Sequence, residues 1–452
     1  MRAVALAPSR PAGPWVLVTA AVLGAACGLA PLAGTAALLG LAVAAVGFGS
    51  AEAGLALLLA AMLLSPEIPL RPGASGGLET GRAVTIRLDD LVVAGYCVGR
   101  LARMAVDRAA RFRMPTAVAR PVLAYLAVCA VSTAAGLAAG RVRPLTGTLF
   151  VLKYAEYFLV FALSLEPLSR PGRAGRFLGL FFAVAAVVCL WALTQVPAGG
   201  RISAPFEGDP EPNTLGAYVV LAGCLAAGLW LEAGRPWARW GPWLLGLFGV
   251  TLLLTLSRSS WLAAVAAAGV FVRHSRRRLW VAGACLLAAA ALVAFPPPAV
   301  KERVLHTVRE RSSQPQVTVA GVTLDASTSA RIESWVQVAR DALRHPLLGH
   351  GVTGYGFVDA QYVKLLADTG LLGLGAFLWI LGSLRGRGRA AVQSPEPLRR
   401  GLGLGFLAAT WGLGVHALGA NTFILIRVME PYLFAAACVV AMEPKRGEEE
   451  SP

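Results

Sequence analysis

Three arginines of this chain lie close to predicted helix starts, where they could bind an anion. Arg201 precedes an apolar run that opens at Asn213, Arg258 directly follows Ser257, and Arg331 lies in a polar segment. A helix N-terminus carries free N–H groups and a partial positive charge, and a guanidinium adds a two-pronged donor. Together these groups suit a phosphate or diphosphate. In the alternative interpretation, Asn213 and Ser257 are only N-caps and each arginine extends to lipid headgroups.

Asp359 stands at the predicted start of another helix and has two compatible interpretations. As an N-cap, its carboxylate would accept the backbone N–H of Gln361 or Tyr362. As a general base, it would accept a proton from an attacking hydroxyl group. The helix N-terminus would keep the carboxylate ionised, which makes it an available but weak base.

Three basic residues lie inside apolar runs, each three or four positions before a carboxylate. This spacing lets each pair close on one helix face. Charges within a membrane usually face a protein interior or a wet cavity, so a shared depth would indicate one polar cavity. Three independent structural ion pairs are the alternative. The pairs are Lys153–Glu156, Lys364–Asp368 and Arg427–Glu430.

The histidines and an acidic cluster are less specific. His350 lies in a Gly-His-Gly loop, where it either binds substrate or only shapes the loop, and His416 is equally ambiguous. The acidic cluster lies near Arg201, and its spacing, interrupted by prolines, fits no standard metal loop. We interpret it as a neutralising partner for Arg201 and predict neither a metal site nor a cofactor. The cluster consists of Glu207, Asp209 and Glu211.

Composition indicates an all-α polytopic integral membrane protein. Of the 452 residues, 56% are hydrophobic, and the mean hydropathy is +0.64. The net charge of +16 fits basic loops beside anionic lipid, and we predict no nucleic-acid partner. The seven cysteines lie in apolar runs without a Cys-x-x-Cys motif, which indicates small buried residues rather than disulfides or metal ligands.

The apolar runs predict about 12–14 transmembrane helices, a range that allows two short runs to form one broken or re-entrant unit. The runs lie near 15–31, 33–49, 51–64, 89–105, 121–139, 147–165, 177–196, 214–233, 241–256, 259–272, 279–295, 360–382, 401–418 and 421–442. The two short runs are 33–49 and 51–64.

The distribution of lysine and arginine predicts the orientation. With a cytoplasmic N-terminus, 24 of the 41 basic residues fall in cytoplasmic segments, 14 in outer segments and three within spans. The positive-inside rule therefore favours cytoplasmic N- and C-termini. This orientation makes residues 296–358, with a helix near 328–345, the one large extracytoplasmic loop. We predict N-terminal transmembrane helices over 1–195, a membrane core over 196–442 and a disordered cytoplasmic tail over 443–452.

The stretch from Ser327 to Trp379 resembles the O-antigen ligase and polymerase family of bacterial membrane glycosyltransferases. The resemblance rests on an arginine followed by a tryptophan, then Pro-Leu-Leu-Gly-x-Gly, a polar residue that opens a helix, and a segment like Glu-x-Gly-Leu-Leu-Gly-Leu. Ligase-type members usually carry His-Asn where this chain has Asp359-Ala360. With the earlier arginine motifs, the resemblance covers roughly 195–435. The matching residues are Arg331, Trp335, 346–351, Asp359 and 368–374.

The resemblance implies a glycosyltransferase at the outer face of a bacterial inner (plasma) membrane. Its donor would be a glycan on a polyprenyl diphosphate, its acceptor a saccharide or a lipid, and membrane lipids would surround it. Asp359 would deprotonate the acceptor hydroxyl, and the reaction would invert the anomeric carbon without a metal. Implied catalytic residues are Asp359, Arg258 and Arg331; implied substrate-binding residues are Arg201, Asn213, Ser257, His350, Tyr362, Lys153 and Arg427.

The aspartate in place of histidine favours a polymerase of O-antigen or exopolysaccharide repeats, as part of the synthesis of lipopolysaccharide or another cell-envelope glycan. Three alternatives stay open. The chain could be an O-antigen ligase that uses a lipid acceptor, a family member that binds lipid-linked glycan without catalysis, or a multi-span transporter or permease. A permease predicts paired inverted repeats with broken helices at the membrane midplane, and the sequence has neither.

Overall fold

A computed structural model describes residues 31–69, 85–107, 114–207, 210–309, 316–319 and 322–444. Within these residues lie fifteen α-helices and two short antiparallel strand pairs, β1 (Glu67–Pro69) with β2 (Thr85–Arg87) and β3 (Thr318–Val319) with β4 (Val322–Thr323). The helices are α1 (Pro31–Gly49), α2 (Ala51–Leu64), α3 (Leu88–Val106), α4 (Thr116–Ala138), α5 (Pro144–Leu168), α6 (Arg173–Leu193), α7 (Pro212–Glu232), α8 (Trp237–Leu254), α9 (Arg258–His274), α10 (Arg278–Ala294), α11 (Pro298–Arg309), α12 (Ala326–Ala342), α13 (Gln361–Val392), α14 (Pro397–His416) and α15 (Ile426–Ala441).

The predicted fold class is confirmed, since the apolar runs form the helices of a polytopic membrane protein. Each run from 33–49 onward overlaps a helix, whereas the run near 15–31 lies outside the described residues except for Pro31. By length and composition, five described segments can cross a membrane: Thr116–Ala138, Pro144–Leu168, Arg173–Ala198, Pro212–Glu232 and Gln361–Val392. A sixth is added if α10 and the start of α11, which meet at an 84° bend, form one span. The total of 12–14 spans stays a prediction.

By internal packing the chain forms two compact units, and the described part of the smaller one consists of residues 31–54 and 89–107. Its helices α1 and α3 approach closely. A Cβ at Gly99 would collide with the main chain of Ala44, so the two helices can pack this closely only because Gly99 has no side chain. The predicted division of the chain at residue 195 stays a prediction.

The larger unit is built around α7, which is almost entirely buried. Glycines let α14 approach this helix: a Cβ at Gly405 would lie 2.6 Å from the carbonyl oxygen of Cys224. Helix α14 also packs on α9, where a Cβ at Gly412 would lie 2.8 Å from the carbonyl oxygen of Ala263. This packing brings the first turns of α7 and α9 next to the last turn of α14.

Helix α13 is broken at Gly370, which has a φ of 65° and a ψ of −164°. The break frees two carbonyl groups of the preceding turn to accept hydrogen bonds from the preceding loop. The N–H of His350 donates to the oxygen of Ala367 at 2.9 Å, and the N–H of Gly351 donates to the oxygen of Asp368 at 2.8 Å. The Pro-Leu-Leu-Gly-His-Gly loop is therefore bound to the membrane helix by its own main chain.

Replacement of Gly370 by alanine is expected to destabilise the protein. Alanine is strained at the positive φ of this position, and its Cβ would collide with the carbonyl group of Leu347. We expect a loss of about 1–3 kcal/mol from the backbone conformation alone, seen as a lower unfolding temperature in detergent. Gly375→Ala is the matched control, because nothing lies within 4 Å of its Cβ position on the same helix. Equal unfolding temperatures for the two variants would contradict the expectation.

Candidate functional site

Arg201 is joined to the starts of α7 and α9 by hydrogen bonds. Its Nε donates to the carbonyl oxygen of Thr255 at 3.1 Å, and its Nη2 donates to Oδ1 of Asn213 at 3.2 Å. The same amide oxygen accepts a hydrogen bond from Oγ of Ser257 at 2.7 Å. Three residues that the sequence analysis singled out separately therefore lie together.

The two predicted N-caps differ in outcome. Ser257 is the N-cap of α9, since its Oγ accepts the backbone N–H of Ser260 at 3.3 Å. The prediction for Asn213 was wrong: α7 begins at Pro212, and the N-cap position belongs to Glu211. Because proline is well suited to the first turn of a helix, the helix starts one residue earlier, and the asparagine side chain binds the arginine instead.

Arg258, the first residue of α9, is paired with Asp325, which directly precedes α12. Nη1 and Nη2 of the arginine donate to Oδ1 and Oδ2 of the aspartate at 2.9 and 2.8 Å. Burial would raise the pKa of Asp325, but hydrogen bonds from Arg258 and Thr328 and the charges of Arg258 and Arg303 lower it. The two guanidinium nitrogens that could bind a phosphate in bidentate fashion therefore bind a carboxylate in this structure.

Arg331 of α12 is paired with Asp359. Both its Nε and its Nη2 donate to Oδ2 of the aspartate, at 3.0 and 2.7 Å. Within the described residues, Oδ1 of the same carboxylate accepts no hydrogen bond, and the Asp359 side chain is 32% exposed. One carboxylate oxygen thus remains for another partner.

Asp359 is not the N-cap of α13, so this part of the sequence interpretation was wrong. The N-cap position is held by Ala360. The first N–H of the helix, that of Gln361, donates to the carbonyl oxygens of Ala417 and Ala420 at 3.0 and 3.3 Å. The main chain after α14 satisfies the helix start, and the carboxylate is left to bind Arg331.

Three other arginines lie close enough to Arg201 to affect its pKa. The pKa of Arg201 is lowered to about 10 by its burial and by the charges of Arg303, Arg258 and Arg331. All three arginines of the sequence motifs are therefore brought together, and Arg303 of α11 joins them. Arg303 belongs to none of the sequence motifs, and its place in the predicted outer loop was the only signal for it.

Two members of the acidic cluster, Glu207 and Glu211, do not pair with Arg201 within the described residues. Glu207 lies 3.8 Å from Arg427 and accepts the backbone N–H of Glu211 at 2.9 Å, while Asp209 lies outside the described residues. No described carboxylate pairs with Arg201. Within the part of the chain that the structure describes, its guanidinium is available to another anion.

Arg427 of α15 donates hydrogen bonds to three main-chain carbonyl groups. It donates to the oxygens of Pro205, Phe206 and Ser65, the last two at 3.0 and 3.2 Å. It thereby holds the segment that follows Arg201.

Two of the three predicted intrahelical pairs are confirmed, and the pair Arg427–Glu430 stays a prediction. That the basic residues line one common cavity stays a prediction. The N–O distances are 2.9 Å in Lys153–Glu156 and 2.8 Å in Lys364–Asp368.

His416, at the end of α14, belongs to a buried hydrogen-bonded chain. Its Nε2 lies 3.1 Å from Oγ of Ser260, and its Nδ1 lies 2.7 Å from Oγ1 of Thr422. Oγ of Ser260 donates to Oγ of Ser257 at 2.8 Å. Through Asn213 this chain reaches Arg201.

Two further candidates make contacts within the protein. Nδ1 of His350 lies 3.0 Å from the carbonyl oxygen of Ala367, so its ring supports the loop docked on α13. The hydroxyl of Tyr362 donates to the carbonyl oxygen of Gly414 at 2.8 Å. Their assignment to substrate binding, like that of the other site residues, stays a prediction.

The arrangement is suited to binding an anion and accepting a proton. Arg258 binds Asp325, Arg331 binds Asp359, and both arginines lie close enough to Arg201 to lower its pKa. Within the described residues, Oδ1 of Asp359 accepts no hydrogen bond. Guanidinium groups suit phosphate oxygens, and a carboxylate can act as a general base. Within the described ranges, no group of three or more His, Cys, Asp or Glu residues could hold a metal ion.

Part of the chain matches a known protein family. Residues 243–378 match the family described as O-antigen ligase. The match is narrower than the predicted 195–435, and it includes Arg258, Asp325, Arg331 and Asp359 but neither Arg201 nor His416. No curated protein matches the chain. Residues 243–378 of this polytopic membrane protein are therefore similar to the O-antigen ligase family.

Proposed function

We propose that the protein transfers or polymerises a glycan carried on a polyprenyl diphosphate, at the outer face of a bacterial inner membrane. The observation that carries this proposal is the group of arginines around Arg201, one of which, Arg331, binds Asp359. The similarity of residues 243–378 to the O-antigen ligase family supports ligase- or polymerase-type activity in general. The identities of the donor and the acceptor, and the roles of the individual residues, are our proposal.

Arg201 is the proposed first contact of the donor diphosphate. It has no described carboxylate partner, and within the described residues its Nη1 donates no hydrogen bond. Arg258 and Arg331 would then exchange part of their contact with Asp325 and Asp359 for phosphate oxygens. Charge-assisted, two-pronged hydrogen bonds make such an exchange favourable when the diphosphate brings two charged groups.

In the transfer step, the acceptor hydroxyl attacks the anomeric carbon of the donor while the bond from this carbon to the diphosphate oxygen breaks. The electron pair of that bond moves to the leaving diphosphate, and the arginines stabilise the added charge. The hydroxyl proton moves to Oδ1 of Asp359. Attack from the side opposite the leaving group inverts the anomeric carbon. We propose that no metal is required, because guanidinium groups supply the positive charge.

A polymerase and a ligase differ in the acceptor that receives the glycan. Asp359 and Ala360 stand where ligase-type members carry His-Asn, which favours a polymerase that uses a saccharide acceptor. A ligase that uses a lipid acceptor is the second candidate. A permease without transferase activity is the third, and it gives no reason for a carboxylate beside the arginine cluster.

Reconstitution in liposomes with a purified lipid-linked oligosaccharide and EDTA tests the proposal. A ladder of longer lipid-linked products would identify a polymerase. Transfer to an added lipid acceptor without a ladder would identify a ligase. Intact donor after incubation with active, folded protein would contradict both.

We predict that residues 296–358 are extracytoplasmic and that 385–400 are cytoplasmic. The reason is the uneven distribution of lysine and arginine between short loops. Single cysteines in a cysteine-free background, Gln337→Cys in α12 and Arg389→Cys in α13, test this with a membrane-impermeant thiol reagent, since both positions are exposed. The thiol introduced in α12 should react in intact cells, and the thiol introduced in α13 only after the inner face is opened. The reverse pattern would place the arginine cluster on the wrong side for the proposed donor.

A further inference from the structure

A buried chain of side chains links His416 to Arg201 across α14, α9 and α7. From His416 it runs through Ser260, Ser257 and Asn213, with steps of 3.1, 2.8, 2.7 and 3.2 Å. His416 and Ser260 are fully buried, and Ser257 is 1% exposed. Such a chain holds its members in one geometry because an unpaired polar group would be costly there.

The hydrogen bonds of this chain have one consistent direction. Arg201 can only donate, so it fixes the oxygen of the Asn213 amide toward itself. Ser257 gives its single hydroxyl hydrogen to that oxygen and therefore accepts from Ser260. The hydroxyl hydrogen of Ser260 is then used, so Nε2 of His416 must carry the proton that Ser260 accepts. Nδ1 of the ring accepts from the hydroxyl of Thr422.

We propose that His416 is a positioning residue for donor binding. Its Nε2–H keeps the hydroxyl of Ser260 directed at Ser257, and this orders the amide of Asn213 that holds Arg201. The arginine is thereby fixed with Nη1 left for a phosphate oxygen. The inference rests on the proposed role of Arg201 in binding the diphosphate. His416 acts through its neighbours and does not touch the donor.

Two substitutions separate this role from simple packing. Glutamine can place an amide N–H near the position of Nε2, so His416→Gln keeps the hydrogen bond to Ser260 and loses the one with Thr422. Asparagine can place its amide oxygen near Nδ1 but cannot reach the position of Nε2. His416→Asn therefore keeps the hydrogen bond with Thr422 and loses the one to Ser260. Each variant loses one buried hydrogen bond, and a purely structural role would affect both in the same way.

Binding of undecaprenyl diphosphate without glycan, to protein in lipid nanodiscs, is the direct measurement. We expect His416→Asn to weaken binding by about three- to tenfold, since one net hydrogen bond is lost from the chain. His416→Gln should stay within about twofold of the wild type. In the transfer assay, His416→Asn should raise KM for the lipid-linked donor and leave kcat nearly unchanged.

A double-mutant cycle tests whether the effect passes through Arg201. In an Arg201→Ala background, His416→Asn should have no further effect on binding, because residues that act in one chain are not additive. Thr410→Val is the matched control on α14: it removes a buried hydroxyl 3.2 Å from that of Tyr432, outside the chain, and should leave binding unchanged. If His416→Asn does not fold, Ser260→Ala replaces it in these measurements, because it removes the hydroxyl that joins His416 to Ser257.

Equal effects of asparagine and glutamine, or additive effects of His416→Asn and Arg201→Ala, would overturn the inference and leave the proposed function intact. Wild-type protein that binds undecaprenyl diphosphate no better than Arg201→Ala would instead contradict the proposed function, and the inference with it.

Discussion

Replacement of Asp359 by asparagine is expected to lower the rate of glycan transfer by about 10²–10⁴-fold. The asparagine amide oxygen can still accept the hydrogen bonds of Arg331 but cannot take the proton of the acceptor hydroxyl. Because the side chain is 32% exposed and does not cap α13, the fold should persist. The measurement is chain extension from a lipid-linked oligosaccharide, at equal amounts of purified protein.

Two further variants sharpen this test. Asp341→Asn is the matched control, because Asp341 also lies in the predicted outer loop but binds the hydroxyl of Tyr355 at 2.8 Å. It should keep near wild-type transfer. Asp359→His should retain measurable transfer, since histidine can accept the proton and is the residue of ligase-type relatives. Full activity in Asp359→Asn would exclude this carboxylate as the base.

Arg258→Lys is expected to lower transfer by about tenfold or more, although the charge is kept. Lysine cannot make the two-pronged contact with phosphate oxygens, and charge-assisted hydrogen bonds contribute about 1.5–3 kcal/mol each. The loss should be seen in kcat/KM for the lipid-linked donor. Arg344→Lys is the matched control, because that side chain is 79% exposed and its ion pair with Asp341 lies at the surface.

The observed pair with Asp325 offers a second explanation for Arg258, which a separate variant decides. If the arginine only holds Asp325 and the start of α12, Asp325→Asn should reduce transfer as much as Arg258→Lys does. If Arg258 binds the diphosphate, Asp325→Asn should cost less, because it removes a competing carboxylate. Near wild-type activity in Arg258→Lys would contradict the proposed anion site.

The helices and the local pairs were predictable from the sequence. Apolar runs mark membrane helices because no backbone group can remain without a hydrogen bond in lipid. The pairs Lys153–Glu156 and Lys364–Asp368 follow from helical spacing, and so does the capping of α9 by Ser257. These features depend on residues only a few positions apart, so one stretch of chain contains all the information.

The partners of the site residues were decided by the tertiary structure alone. Arg258 meets a carboxylate 67 positions away, Arg331 meets one 28 positions away, and His416 meets a hydroxyl 156 positions away. Sequence reasoning assigned Asp359 and Asn213 to the nearest helix start, because a local hydrogen bond was the only one visible. The sequence by itself determined which residues could bind an anion or a proton. Helix packing, through glycines such as Gly405 and Gly412, decided which of them meet, since a long-range partner depends on where whole helices cross.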